Sequence, residues 1–237
     1  MPPVIRAALF DFGGVIVDGP FEAFAAHERR HALPQGLIRR INATDPDTNA
    51  WARLERGEVD SDGFAKLFEA EARAQGHPID GHEILALLSG SVTGVAVAGA
   101  GDATMGRLRP AMVEAVRRCS QRLVTGLLTN NFHPTSTPDR PPGEIGPVPS
   151  SEDPYAEVMA LFDGVIESRV VGVRKPDPRF YEMACARLEI EPAEAVFLDD
   201  LGINLKPARA MGMTTIKVVD PSDALADLER VVGFPLA

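Results

Sequence analysis

Four short segments, far apart in the chain, set residues capable of catalysis at or just after apolar runs. Asp11 stands in Phe10-Asp11-Phe12-Gly13-Gly14-Val15, and Thr129-Asn130 follows Leu127-Leu128. Lys175 opens Lys175-Pro176-Asp177-Pro178, and Asp199-Asp200 follows Val196-Phe197-Leu198. A carboxylate, a hydroxyl, an ammonium and a carboxylate pair together suit phosphoryl transfer. A phosphate monoester carries up to two negative charges, so a carboxylate nucleophile reaches phosphorus only when other groups neutralise the repulsion. Magnesium plus one lysine meets that need. Asp199-Asp200 supplies hard oxygen ligands, and Asp11 can add a third oxygen while its other oxygen attacks. Gly13-Gly14 lets a phosphate approach backbone amides closely. Pro176 fixes an extended turn that can aim Lys175 inward. Two plainer readings stay open here: Asp199-Asp200 as the N-cap of a helix, and Thr129 as the cap of a turn.

Such residues can converge only if the runs before them are strands of one parallel sheet, whose carboxyl ends form a common crevice. Val4 to Phe10, Leu123 to Leu128, Ala195 to Leu198 and Thr214 to Val219 are mostly apolar with little helical periodicity, as buried parallel strands are. Helical patterns lie between them, at Pro110 to Gln121, Asp153 to Phe162, Pro178 to Leu188, Leu205 to Met211 and Ser222 to Val232. The alternation predicts an α/β, doubly wound, Rossmann-like core. The stretch from about Phe21 to Ala103 interrupts it with helical patterns around Phe21 to His31, Leu37 to Ile41, Trp51 to Arg56, Ser61 to Gln75 and Glu83 to Leu88. This reads as a helical cap (21–103) inserted into a core made of 1–20 and 104–237. Trp51, Phe64 and Phe68 are spaced to pack within it. Gly90 to Gly106 is rich in glycine and alanine and carries the chain back; it lacks a dinucleotide fingerprint. His133 to Ser151 is proline-rich and aperiodic, hence a surface loop.

Composition narrows the function classes. The chain has 237 residues and a net charge of −10, which argues against nucleic-acid binding through its bulk field. Arg29-Arg30, Arg39-Arg40 and Arg117-Arg118 read as solvated helix faces. No apolar stretch is long enough to span a bilayer, and the N-terminus lacks the pattern of a signal peptide. Two cysteines, Cys119 and Cys185, both within predicted helices, fit reduced thiols in a cytoplasmic protein, and neither looks like a nucleophile. His27, His31, His77 and His82 fall in the helical stretch at spacings that do not suggest a metal site.

The four segments resemble motifs one to four of the haloacid dehalogenase superfamily, over nearly the whole chain. The likeness is strongest to the phosphatase domain of soluble epoxide hydrolases and a related domain fused to some acyl-CoA dehydrogenases. It is carried by Phe197-Leu198-Asp199-Asp200-Leu201-Gly202-Ile203-Asn204-Leu205-Lys206-Pro207-Ala208-Arg209, by Ile166-Glu167-Ser168, and by Val171-Gly172-Val173-Arg174-Lys175-Pro176-Asp177-Pro178. The resemblance implies Asp11 as nucleophile, Thr129 and Asn130 as phosphate binders, and Lys175 as charge stabiliser. It also implies Asp200 and the Gly13 carbonyl as magnesium ligands beside Asp11, with Asp199 and Asn204 in support, and a cap after motif one.

The family's phosphatases usually carry a second aspartate two residues after the nucleophile, as general acid and base. Here that position is Gly13. Losing such a group costs about 10² to 10⁴ in rate. Acyl or anomeric sugar phosphates, whose leaving groups have low pKa, suffer less. Asp18 is a candidate substitute if its turn folds back over the site, though Asp18-Gly19-Pro20 is also an ordinary turn sequence. The sequence thus predicts a magnesium-dependent phosphohydrolase of a small phosphorylated metabolite. Two alternatives are a phosphoryl-ligand binding or regulatory protein with little turnover, and a dehalogenase attacking carbon without a metal.

Overall fold

The structure, a computed structural model, describes residues 4–89, 106–130 and 155–236. Strand β1 (Ala7–Phe10) is followed by helices α1 (Phe21–Arg30), α2 (Leu37–Ala43), α3 (Ala50–Glu55), α4 (Ser61–Ala74) and α5 (Gly81–Ser89). The chain continues through α6 (Pro110–Ser120), β2 (Val124–Thr129), α7 (Ala156–Met159), β3 (Gly164–Glu167), α8 (Ser168–Val171) and α9 (Pro178–Leu188). It closes with β4 (Ala195–Asp199), α10 (Gly202–Ala210), β5 (Thr214–Lys217) and α11 (Pro221–Val232). The expected loop at His133 to Ser151 and the return segment Gly90 to Gly106, apart from Gly106 itself, lie outside the described residues.

The described strands form one parallel sheet in the order β3-β2-β1-β4-β5. Alternate residues of a strand face opposite sides of a sheet, and here both sides are apolar. Ala8 and Phe10 pack in one buried cluster with Met112, Val116 and Leu228 of α6 and α11. Ala7 and Leu9 pack in another with Phe180, Ala184 and Ala208 of α9 and α10. Helices on both faces make the sheet doubly wound, as the sequence predicts. From β1 the chain steps through β2 to β3 on one side, then crosses to β4 on the other. The crevice at the carboxyl ends of β1 and β4 is therefore the topological switch point, where ligands bind in such sheets.

β3 adds to the four strands expected from the sequence. With four residues between two short helices, it is too brief for a period to register. Helix α10 starts at Gly202, earlier than the apolar pattern at Leu205 suggests.

Helices α1 to α5 enclose an apolar cluster of their own, with Phe24, Ile38, Ile41, Phe64 and Phe68 buried. Trp51 packs on Phe64 at 4.8 Å between ring centroids, and Phe64 stacks on Phe68 at 5.5 Å. The chain leaves β1 and comes back to α6 along a paired ladder. Asp18 N donates to Arg107 O at 3.0 Å, Gly106 N to Asp18 O at 3.3 Å, and Arg109 N to Ile16 O at 2.9 Å.

Candidate active site

The register of the sheet brings the first and last segments together. Phe10 pairs with Leu198 and with Leu127, so the residues following β1 and β4 emerge side by side. Asp11 N donates to Leu198 O at 2.9 Å, which anchors the start of the loop. Carboxylate oxygens of Asp11, Asp199 and Asp200 lie within 4.8 Å of one another.

Lys175 supplies the facing cation. Its side chain is 1% exposed, and Nζ lies 2.8 Å from Asp11 Oδ1 and 2.8 Å from Asp199 Oδ2. Nζ also donates to the backbone oxygen of Leu128 at 2.8 Å, a partner that no side-chain motif could reveal. These three acceptors fix the ammonium in one place. Burial works against its charge, but Asp11 and Asp199 together hold its pKa above the usual lysine range.

The carboxylates outnumber this one ammonium. Burial pushes the Asp11 carboxyl up to about 7, with Lys175 pulling it down and Asp199 and Asp200 pushing it up. Burial, then Asp199, raises Asp200 to about 6. An oxygen-only donor set with uncompensated negative charge fits a hard divalent cation such as magnesium. Asp11 and Asp200 are the side chains available to hold it. Asp199 is taken: Asn204 Nδ2 donates to its two oxygens at 3.0 and 3.1 Å, Lys175 holds Oδ2, and Leu201 N donates to Oδ1 at 2.8 Å. The last bond braces the turn that precedes α10, whose N-cap position is Leu201 without a side-chain cap, while Asp200 stays in the crevice.

The glycines have separate tasks. Gly14 has φ +76°, and an added Cβ would collide with the Asp200 carboxyl, 2.6 Å from its Cγ. Only glycine permits both that backbone conformation and that approach. At Gly13 an added Cβ would meet nothing within 4 Å. The position two residues after Asp11 therefore has room for a Cβ.

Thr129 ends β2 and is buried, with no hydrogen bond from its hydroxyl to any described residue. Asn130 is bound to the Lys175 backbone in both directions, accepting from Lys175 N at 2.9 Å and donating to Lys175 O at 3.0 Å. It thereby fastens the β2 end to the lysine loop. Asp18 is placed elsewhere: its Oδ1 lies 3.1 Å from Arg109 Nε, and Arg107 approaches its other oxygen at 3.9 Å. Arg109 also donates to Gly14 O at 2.5 Å. The side chain of Asp18 thus secures the ladder between the outgoing and returning chain rather than reaching back to Asp11. Both cysteines are buried, and burial pushes their thiols up to about 12 for Cys119 and about 11 for Cys185, which suits neither for attack.

One residue beside the site went unnoticed in the sequence. Glu55, at the end of α3, accepts from Arg174 Nε at 2.7 Å and from Asn130 Nδ2 at 3.3 Å. Its backbone oxygen accepts from Ser168 Oγ at 2.5 Å. Amid the run Arg53-Leu54-Glu55-Arg56 it looks like one charge on a solvated face; only the tertiary contact distinguishes it.

The chain is similar to several known proteins. Acyl-CoA dehydrogenase family member 10 of Mus musculus is 34% identical over 235 residues, covering 98% of this chain and 19% of its own length. Bifunctional epoxide hydrolase 2 of Sus scrofa is 30% identical over 238 residues, covering 98% of this chain and 40% of its own. The chain thus spans less than half the length of these relatives. A HAD family enzyme from Bacteroides thetaiotaomicron, solved in complex with magnesium and inorganic phosphate, shares the fold with a TM-score of 0.54 at 18% identity, over 90% of this chain and 93% of its own. The model of haloacid dehalogenase-like hydrolases matches residues 5–212, from the strand that delivers Asp11 to beyond the helix that follows Asp199-Asp200. The chain therefore belongs to the haloacid dehalogenase-like hydrolases.

Proposed function

We propose that this hydrolase is a magnesium-dependent phosphohydrolase of a small phosphorylated metabolite, working through an aspartyl-phosphate on Asp11 and favouring leaving groups of low pKa. The observation that carries the proposal is the buried Lys175 ammonium, held 2.8 Å from Asp11 Oδ1 within a cluster of three carboxylates. A fixed cation beside a carboxylate nucleophile is what an approaching phosphoryl dianion requires. Carbon chemistry without a metal gives the second carboxylate, Asp200, no evident task.

In this reading Asp11 attacks phosphorus through one oxygen, an O–P bond forms, and the bond to the leaving oxygen breaks with its electron pair. Lys175 neutralises the charge shared between Asp11 and the transferring group. Thr129, whose hydroxyl is uncommitted among the described residues, donates to a phosphoryl oxygen. Asn130 acts by keeping Lys175 and the end of β2 in register. Asp199, braced by Asn204, holds Lys175 from behind. Magnesium held by Asp11, Asp200 and the Gly13 carbonyl would supply charge neutralisation and orient the phosphoryl group. Water then attacks the aspartyl-phosphate and frees Asp11 and inorganic phosphate.

The open space at Gly13 carries no proton donor for the departing oxygen. A carboxylate or an anomeric oxygen leaves readily without one, and an alkoxide does not. Helices α1 to α5, inserted just after the nucleophile, serve as the cap that excludes water and selects the substrate.

The test is phosphate release from acetyl phosphate with magnesium. Wild type should release phosphate, while Asp11→Asn or added chelator should abolish it. Binding of phosphate without release would support the regulatory reading, and chloride release from 2-chloropropionate without metal would support a dehalogenase.

A further inference from the structure

A second group of ligating side chains lies away from the carboxylate crevice, within the helical segment. His27 and His31 stand one turn apart at the end of α1, with ring centroids 4.2 Å apart and planes at 25°. Glu83, in the first turn of α5, brings Oε2 to 3.9 Å from His31 Nε2. One donor atom from each of His27, His31 and Glu83 lies within 4.8 Å of the others. Along the sequence these histidines stand at spacings that do not suggest a metal site, and a third ligand is not evident from them. That ligand comes from a helix at the opposite end of the segment, which spacing along the chain cannot show.

We infer that His27, His31 and Glu83 form a binding site for a borderline transition-metal cation, of which zinc is the best match, clamping α1 to α5. Two imidazole nitrogens and one carboxylate oxygen are a donor set suited to zinc and poorly suited to magnesium. Tetrahedral zinc holds such donors about 3.3 Å apart, given bonds near 2.0–2.1 Å. His31 and Glu83 are exposed, so both can close the remaining distance by rotating their side chains. His27 is 3% exposed, and its ring makes no hydrogen bond to a described residue.

The position gives the site a consequence. α1 begins at Phe21, ten residues after Asp11, and α5 is the last described helix before the chain returns to the core. A metal joining them ties together the beginning and end of the helical segment without touching Asp11, Lys175 or Asp200. The clamp stabilises that segment and takes no part in the chemistry.

The experiment is zinc titration of the untagged full chain by calorimetry, with excess magnesium present to occupy the carboxylate crevice. The expected result is one zinc per chain in the micromolar range or tighter. His31→Ala and Glu83→Gln should each weaken it at least about tenfold, the scale on which even outer-shell changes act. Both positions are exposed, so the variants fold, and their phosphate release in magnesium alone should match wild type. Cobalt(II) in place of zinc should give the visible absorption of a tetrahedral site, lost in His31→Ala. Zinc binding of equal strength in wild type and both variants would overturn the inference, as would no zinc binding in the presence of magnesium.

Discussion

Glu55 Oε2 and Arg174 Nε lie 2.7 Å apart, joining the end of α3 to the residue next to Lys175. The two side chains are 17% and 19% exposed, so the pair is largely desolvated. Burial raises the Glu55 carboxyl above its usual pKa, against the pull of Arg174, so the ion pair does not fully offset the cost of burying the charge. Its value is positional. It ties the helical segment to the loop that holds the Lys175 ammonium against Asp11.

Replacing Glu55 by alanine should therefore act on both folding and catalysis. Arg174 would lose its partner, and the variant should lose about 1–3 kcal/mol of stability. Urea denaturation would measure this. KM should rise more than kcat falls, because Asp11 and Lys175 remain in place while the helices above them loosen. An unchanged KM would show that the tie has no part in substrate binding.

Gly13→Asp should add a function. An added Cβ there meets nothing within 4 Å, so a side chain can start from this position without a backbone clash. The new carboxyl would stand two residues after Asp11, where the proposed reaction lacks a proton donor. Turnover of alkyl phosphates should rise by about 10² or more, with a smaller gain for acetyl phosphate. Equal effects on both substrates would argue against proton donation as the missing step.

Gly14→Ala should do the reverse. The residue has φ +76°, and its Cβ would collide with Asp200. The backbone conformation alone costs about 1–2 kcal/mol for an L-residue. Displacing the Asp200 carboxylate should also raise the magnesium concentration needed for half-maximal activity, measured by metal titration of the purified variant.

Asp11→Asn should stabilise the metal-free protein in a pH-dependent way. With the carboxyl raised from 3.8 to about 7, the folded state holds a proton that the unfolded state releases. Stability from this group is therefore present in acid and lost as pH rises from about 4 to 7. Asparagine cannot ionise and escapes that loss. The stability gap in favour of the variant should grow between about pH 4 and pH 8, each pKa unit being worth about 1.4 kcal/mol. Magnesium should narrow the gap by stabilising only the wild type. A gap that stays constant across this range would contradict the reading of Asp11 as a buried carboxyl whose pKa is raised.

Much of the fold was legible in the sequence. Continuous apolar runs ending in Asp11, Thr129 and Asp199 marked buried parallel strands, and helix periodicity marked the segments between them. The helix Pro178–Leu188 was located to the residue, since Asp177 caps it, accepting from Arg179 N at 3.0 Å, and proline occupies its first position. β3 was missed because four residues between short helices carry too little pattern. For Asp18 the sequence shows a carboxylate near the nucleophile but not Arg109, 91 residues on, to which it is bound.

What the sequence by itself determined was the inventory: a carboxylate, a hydroxyl, an ammonium and an acidic pair at strand ends, with glycine two residues after the first carboxylate. Local chemistry suffices for that, because strand periodicity and turn residues act over a few positions. Only the tertiary structure decided the pairing. It assigned Asp199 to Lys175, Asn204 and the α10 turn, left Asp200 in the crevice, bound Asp18 to Arg109, set Glu55 against Arg174, and brought Glu83 to His27 and His31. Each of these contacts joins residues from different elements. Their distances follow from sheet register and helix packing, which arise when the whole core closes and cannot be read from spacing along the chain.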